Sequence, residues 1–340
     1  MRAVFITLIF ASFFWVGCGP AGEDSLLFNE AVSDEKQVKI FDKTHIYAGK
    51  GGGRIKSKQV NLPVFDGRYD TAFINLNLSC PLNSAGMKDC DYWDRKGQIT
   101  LQGVHDGDPV TIELMRFMTP YGVGSTHNLD ISDRLPVLAG SKKISVFIDT
   151  WVKPGHPQGE GWLVDLRVTY SYRGKNKKVP VAVRQVVAPM AVPYGKPGYN
   201  LRKGTALKQL PPHSSARLWS YVTGHGQNAG AGANNCAEFC DKIHTFGVRK
   251  AVMRKSIWRD DCAETKTDGI QRGTWTLSRA GWCPGDKVRP IKVNYNISLG
   301  SSGQVFWAPE SWVNPDDGDY NNGNHTRPYF EVSSFLVLFE

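Results

Sequence analysis

Period-two alternation recurs along this chain, and it restricts the possible folds more than any other feature. Ile74, Leu76 and Leu78 alternate with Asn75 and Asn77. Ile144, Val146 and Ile148 run the same way toward Thr150-Trp151. Trp162, Val164, Leu166, Val168 and Tyr170 share one face, and Ile291, Val293, Tyr295 and Ile297 alternate with Lys292, Asn294 and Asn296. Side chains on a strand point to opposite faces in turn, so each pattern predicts an antiparallel strand with an apolar inner face and a polar outer one. Long helical periodicity is missing. The 35 Gly and 19 Pro supply turns between many short strands, and the two signals together predict all-β sandwiches. The Pro- and Gly-rich stretch from Pro189 to Gly198 reads as a linker. The predicted layout is an N-terminal domain over 37–188, a linker over 189–200 and a C-terminal domain over 201–340.

The N-terminus predicts export. Arg2 precedes an apolar run from Ala3 to Val16 that is too short for an ordinary transmembrane helix. The run ends in Trp15-Val16-Gly17-Cys18, which resembles a bacterial lipobox, with Trp15 where leucine is usual. The expectation is a lipoprotein signal peptide over 1–17, a lipid on Cys18 and a polar tether to residue 36. An ordinary signal peptide cut elsewhere is the other reading. Gly19, not Asp, follows Cys18, so the inner-membrane retention signal is absent and the outer membrane is the expected site.

Cysteine usage agrees with an oxidising compartment. Setting Cys18 aside leaves Cys80, Cys90, Cys236, Cys240, Cys262 and Cys283. Local grouping favours pairs 80–90, 236–240 and 262–283, although other pairings remain open. A zinc site is disfavoured because Cys236 and Cys240 have no matching second pair. The formal charge of +9 is spread along the chain, without a basic run interleaved with aromatics. That pattern favours anionic surfaces or acidic glycans, not nucleic acid.

Several segments carry chemistry. Cys90-Asp91-Tyr92-Trp93-Asp94-Arg95 sets an acid between a base and an indole. Arg95 beside Asp94 would keep the carboxylate ionised, and Trp93 offers a plate for a sugar ring. Such a group can activate water; the other reading is a surface ion pair beside a core tryptophan. Ile148-Asp149-Thr150-Trp151 puts a second acid near an indole, or a strand-end cap. In Asn234-Asn235-Cys236-Ala237-Glu238-Phe239-Cys240 a short disulfide would hold Glu238 rigidly, as a catalytic acid or merely beside a staple. Ser278-Arg279-Ala280-Gly281-Trp282-Cys283 presents an arginine able to hold sugar hydroxyls or a carbonyl oxygen, or a cation–π surface pair.

Taken together these segments resemble the peptide:N-glycosidase F family. The similarity begins near Lys39-Ile40-Phe41-Asp42-Lys43 and takes in the Cys90–Arg95 hexapeptide. It continues through Arg116-Phe117-Met118-Thr119-Pro120-Tyr121, Val123-Gly124, Thr150-Trp151 and Val192-Pro193-Tyr194-Gly195-Lys196. Further on come the 236–240 loop, His244-Thr245, Arg279–Gly285 and Ser333-Ser334-Phe335. The resemblance implies two side-by-side eight-stranded antiparallel jelly rolls with the active site at their interface. It implies hydrolysis of the amide joining asparagine to the first N-acetylglucosamine of an N-glycoprotein or glycopeptide, with no metal or organic cofactor. A monomer is the expected state. The family's principal catalytic aspartate falls on Asp94 and its second-domain glutamate on Glu238. Its arginines fall on Arg95 and Arg279, and its aromatic walls on Trp93, Trp151 and Trp282.

Three departures stand out. Asp149 takes the place of a longer glutamate, Phe239 replaces a tryptophan, and Thr223-Gly224-His225-Gly226-Gln227 replaces Ser-Gly-Trp-Gly-His. These changes at the substrate face, His225 among them, keep a second expectation alive: a surface glycan-binding lipoprotein that has lost turnover. A copper monooxygenase of related fold is disfavoured, because the eight histidines form neither HxH nor HH.

Overall fold

In the computed structural model the described residues are 35–49, 53–174, 178–227, 236–249, 251–296, 298–300, 302–314 and 327–340. The predicted leader, Cys18 and the tether up to residue 34 lie outside them, as do Asn234, Asn235, Ile297 and His325. No helix of the described residues is long and apolar enough to cross a membrane.

Eight strands form a first sandwich: β1 (Lys36–Ile46), β2 (Ile55–Leu62), β3 (Thr71–Ser79), β4 (Lys96–His105), β5 (Asp108–Met118), β6 (Ser125–Asp130), β7 (Gly140–Ile148) and β8 (Trp162–Ser171). Its two sheets run β1-β8-β3-β6 and β2-β7-β4-β5, antiparallel throughout. The alternation read from sequence holds here. Ile74, Leu76, Leu78, Ile144, Val146, Trp162, Val164, Leu166 and Val168 are fully buried between the sheets.

The second sandwich comprises β9 (Pro180–Pro193), β10 (Lys203–Lys208), β11 (Ser215–His225), β12 (Ile243–Val248) and β13 (Ala251–Ser256). A two-residue pair, β14 (Trp258–Arg259) with β15 (Arg279–Ala280), lies in the next connection. Then follow β16 (Ile291–Tyr295), β17 (Ser302–Pro309) and β18 (Tyr329–Phe339). Its sheets run β16-β11-β18-β9 and β10-β17-β12-β13. Counted from its own first strand and leaving out the β14–β15 pair, this order is the same as that of the first sandwich. Each is a jelly roll of eight strands.

The boundary between them differs from the sequence reading. β9 pairs with β18 from Pro180 onward, so residues assigned to the first domain and to the linker build the second sandwich. Pro189 and Pro193 mask the strand in the sequence, because proline argues against a ladder position. β9 is an edge strand, however, where a missing N–H is tolerated, and its register shifts in that stretch.

The described residues, all of which follow residue 34, pack as one compact unit. The reason is visible on β18. Phe330, Val332, Leu336 and Leu338 fill the second core, while Phe335, Val337 and Phe339 join the core cluster of the first sandwich. A strand covered on both faces reads as a continuous apolar run. Across the junction Arg116 is fully buried. It donates to both carboxylate oxygens of Glu113 at 2.8 and 2.7 Å, to Thr223 Oγ1 at 3.0 Å and to the Glu331 carbonyl at 2.7 Å. Ser333 donates to Glu113 from the other side. Backbone bonds Met118 N–H to Asp286 O and Val288 N–H to Arg116 O extend the end of β5 into the second half.

Candidate active site

Asp94 and Glu238 arrive from equivalent places. Asp94 lies in the connection between the third and fourth strands of the first sandwich, and Glu238 in the same connection of the second. Each connection is closed by a disulfide, Cys80–Cys90 and Cys236–Cys240; Cys262–Cys283 brackets a longer loop. All three pairings match the local grouping of the cysteines. The Glu238 loop presses on β11, where a Cβ at Gly224 would stand 2.2 Å from the Ala237 carbonyl oxygen. Only glycine allows that approach. Ala280 N–H donates to Glu238 O at 2.9 Å and Glu238 N–H to Gly226 O at 3.0 Å, so the backbone of the acid is pinned on both sides.

One guanidinium joins the two acids. Arg279 Nε donates to Glu238 Oε1 at 3.2 Å, and Arg279 Nη2 lies 3.7 Å from Asp94 Oδ2. Its other donors are held by the protein: Nη1 by the Thr274 and Leu277 carbonyls at 3.0 and 2.8 Å, Nη2 by Thr274 Oγ1 at 3.0 Å. With a side chain only 1% exposed, Arg279 is a fixed charge under the site and not a flexible hand on its rim. The Phe239 ring lies 5.1 Å from its guanidinium and the Trp282 ring 4.8 Å.

Burial raises both acids, and the cation only partly offsets it. Asp94 is pushed up to about 6, against the pull of Arg279 and a hydrogen bond from Tyr121. Glu238 is pushed up to about 7 by burial and by the Asp94 charge, with Arg279 pulling the other way. Two carboxyls beside one cation resist ionising together, so near neutral pH the pair can hold a base and an acid at once. Tyr121 comes from the connection between the fifth and sixth strands; its phenol also meets Thr274 Oγ1 at 3.3 Å. Arg279 sits in the matching connection of the second sandwich.

Several residues singled out from the sequence lie elsewhere than expected. Arg95 does not pair with Asp94: its Nε reaches the buried Asp91 at 2.8 Å. Four residues of spacing let the side chain turn back, and Asp91 also accepts from Thr150 Oγ1 at 2.6 Å and Trp93 N–H at 3.0 Å. Trp282 is 3% exposed, its indole N–H donating to Gly224 O at 2.8 Å. It backs Arg279 instead of lining the cleft. His225 is buried between Trp282 and Tyr329, with ring centroids 5.6 and 5.1 Å away. Burial, then Lys96 and Arg116, holds it well below the usual histidine range, so it is a neutral spacer. Asp149 pairs with Arg54 at 2.8 Å. Trp93 and Trp151 remain open to solvent, 47% and 62% exposed.

Tyr121, Asp91, Arg54 and Tyr329 have no role in the reading by residue type alone. Tyr121 stands inside the Arg116–Tyr121 stretch that resembles the family, which was the only signal for it. Burial, then the charges of Glu331, Asp149 and Glu238, raises the Tyr329 phenol. Among the described residues no cluster of three or more His, Cys, Asp or Glu is placed to hold a metal ion.

Comparisons with known proteins bear on the family and the fold. Residues 202–337 match the family model described as "Peptide-N-glycosidase F, C terminal", and residues 100–170 match "Peptide-N-glycosidase F, N terminal". Glu238 and Arg279 fall inside the matched segments; Asp94 lies just before the N-terminal one. Peptide-N(4)-(N-acetyl-beta-D-glucosaminyl)asparagine amidase F of Elizabethkingia miricola is 27% identical over 94% of this chain and 88% of its own. The solved structure of PNGase F, a glycosylasparaginase from Flavobacterium meningosepticum, superposes with a TM-score of 0.74. It is 25% identical, and the match covers 90% of this chain and 96% of that one. PNGF-II shares the fold, with a TM-score of 0.63 at 19% identity over 89% of this chain and 65% of its own. Both halves match models of one family, the relatives run nearly the full length, and the paired jelly rolls superpose: the chain belongs to the peptide-N-glycosidase F family.

Proposed function

We propose that this protein is a peptide-N-glycosidase, hydrolysing the amide between asparagine and the innermost N-acetylglucosamine of an N-glycoprotein or glycopeptide. The observation that carries the reading is the shared guanidinium: Arg279 holds Asp94 and Glu238 together at the junction of the sandwiches. Asp94, the lower of the two, is the base that takes a proton from the attacking water. Water adds to the amide carbonyl carbon, and the C–N bond then breaks. Glu238, the higher of the two, gives its proton to the departing nitrogen. The products are an aspartyl side chain and a glycosylamine, which decays to the free sugar. Arg279 keeps the site from carrying two uncompensated negative charges, so it positions the acids. The exposed Trp93 and Trp151 are the surfaces left for sugar rings.

Glycan release from a defined glycopeptide, with mass detection of the Asn-to-Asp change, tests the reading. Release lost in Asp94→Asn supports it; a wild-type protein that binds glycopeptide without any release would favour the non-catalytic glycan-binding lipoprotein. The exported, Cys18-lipidated form at the outer membrane is part of the proposal and rests on the leader sequence and the three disulfides. Metabolic labelling with palmitate, lost in Cys18→Ser, checks it. A monomer is proposed as the working state, tested by sedimentation.

A further inference from the structure

A cavity of about 280 Å³ lies between the two halves, and none of Asp94, Glu238 and Arg279 lines it. One wall is Thr126 and His127 of β6; the other comes from Arg259 of β14 with residues of 261–266 and 285–289. A single water needs only about 10–15 Å³ of such space, so there is room for a ligand. Arg259 is 7% exposed. Its Nε donates to Asp261 Oδ1 and its Nη2 to Asp286 Oδ2 at 2.9 Å. Its buried Nη1 has no hydrogen-bond partner among the described residues, and neither has the buried Thr265 Oγ1. Buried polar groups left unmatched are costly, so two at one cavity point to an occupant that accepts from both. The charges agree. Arg259, Lys266, Lys287 and Arg289, four cations, line the cavity against three carboxylates, Asp261, Glu264 and Asp286. Asp261 and Asp286 are already taken, since Arg289 Nη2 also reaches Asp261 at 2.6 Å. Burial pulls His127 down to about 4, so it adds no charge at neutral pH. Among the described residues the ammonium groups of Lys266 and Lys287 have neither an ion pair nor a hydrogen bond.

We propose that this cavity is a binding site for a free tetrahedral oxyanion, inorganic phosphate or sulfate, held by Arg259 Nη1, Thr265 Oγ1 and the ammonium groups of Lys266 and Lys287. Such an ion turns acceptor oxygens in every direction and carries negative charge, which two unmatched donors and two unpaired ammonium groups lack. A neutral ligand would satisfy the donors and leave the surplus charge. A metal cation would meet four cations, and among the described residues no group of three ligating side chains stands there. The site also bears on the cation shared by the two acids. β14 and β15 set Arg259 directly opposite Arg279. Directly opposed residues of an antiparallel pair project from one face, where like charges repel. Each arginine is balanced by two carboxylates, Arg279 by Asp94 and Glu238, Arg259 by Asp261 and Asp286. An anion on Arg259 adds to that balance and ties β14 to Thr265 and Lys287, so it steadies the short strand pair on which Arg279 stands.

Calorimetry on the intact protein with inorganic phosphate at pH 7 tests the site. Saturable binding is expected, half-complete at or below about 1 mM, where sodium chloride at equal ionic strength gives none. Lys266→Ala combined with Lys287→Ala removes two charges that support no other contact and should weaken binding at least about tenfold. Thr265→Val keeps the shape of the side chain and should weaken binding severalfold without lowering the melting temperature measured free of phosphate. Amide hydrogen exchange over 258–260 and 279–281 should slow when phosphate is added to the wild type, and not in the double variant. None of these readouts uses glycan release, so the site stands or falls apart from the glycosidase reading. Absence of saturation, or an equal response to chloride, would leave a water-filled cavity and overturn the proposal. Binding unchanged in the double variant would mean an adventitious ion only and overturn it too. Capture by phosphatidic acid vesicles without binding of the free ion would move the oxyanion to a lipid headgroup and overturn the free-ion site. Unchanged exchange over 279–281 with phosphate bound would break the link to Arg279.

Discussion

The two sandwiches share one strand order but differ in what their equivalent connections deliver. Between third and fourth strands, the first has a connection over 80–95 that carries an exposed Trp93 and a pair between the buried Asp91 and the partly exposed Arg95, with Asp94 between them. In the second, a disulfide between cysteines four positions apart presents Glu238 with its backbone bonded fore and aft. Between fifth and sixth strands, the first supplies Tyr121 and the second Arg279. So one jelly roll provides the lower acid and its phenol, and the other the higher acid and the cation both acids need. Neither half holds a working pair. The lesson is that equivalent loops can share one chemistry when a rigid junction holds two folds together, which the buried Arg116–Glu113 pair and the double-faced β18 accomplish.

The strongest way to break this comparison is to exchange roles. Asp94→Asn should lower kcat on the order of a thousandfold with the fold retained, because an amide cannot take a proton at neutral pH. Glu238→Gln should cost less, since it removes the proton donor and leaves the base. Equal losses in glycopeptide release would show the halves to be equivalent and sink the division of labour.

The junction comes next. Arg116→Ala leaves Glu113 buried without its cation and should destabilise the whole protein by about 3–5 kcal/mol. A single cooperative transition in chemical denaturation is expected, since the cores are continuous across β18. Two separate transitions in the wild type would show that the sandwiches are independent.

The raised acids make stability pH-dependent. Both are protonated more readily in the folded state than in the unfolded chain. Their contribution is therefore fully present below about pH 4 and lost as pH rises through about 6 for Asp94 and about 7 for Glu238. Glu238→Gln removes one of the two like charges while Asp94 still balances Arg279. It should flatten the fall between about pH 5 and 8 and make the variant more stable at pH 8, by about 2 kcal/mol. Melting curves across that range decide; a parallel profile in the variant would mean Glu238 is not the titrating group.

Tyr121→Phe is the smallest effect and sharpens the assignment. The phenol's hydrogen bond holds Asp94 down, so its loss should move the acidic limb of kcat/KM to higher pH by a fraction of a unit. A shift of the alkaline limb instead would assign Tyr121 to Glu238.

The strand pattern was legible because alternation depends only on neighbours in the chain: Ile74, Leu76 and Leu78, or Trp162 through Tyr170, need no partner to announce which face is buried. β9 was not, because Pro189 and Pro193 hide an edge strand whose partner lies far along the chain in β18. The disulfides match the grouping of the cysteines; Asp94 and Glu238 stood out as candidates from their motifs, and the resemblance to the family supplied their roles. Arg95 and Trp282 were misplaced for one reason: adjacency in sequence does not fix where a long side chain points.

By itself, then, the sequence determined the class of fold, since local periodicity carries it, and favoured the cysteine pairs by their grouping; Asp94 and Glu238 were singled out by their motifs and by the resemblance to the family. Only the tertiary structure decided which cation serves the acids. Arg95 lies one residue from Asp94 yet turns to Asp91, while Arg279, far away in the chain, lies against Asp94 and Glu238 with almost no exposure. Charge pairing in a protein interior is set by distance and by removal of water, both fixed when the two sandwiches close on each other.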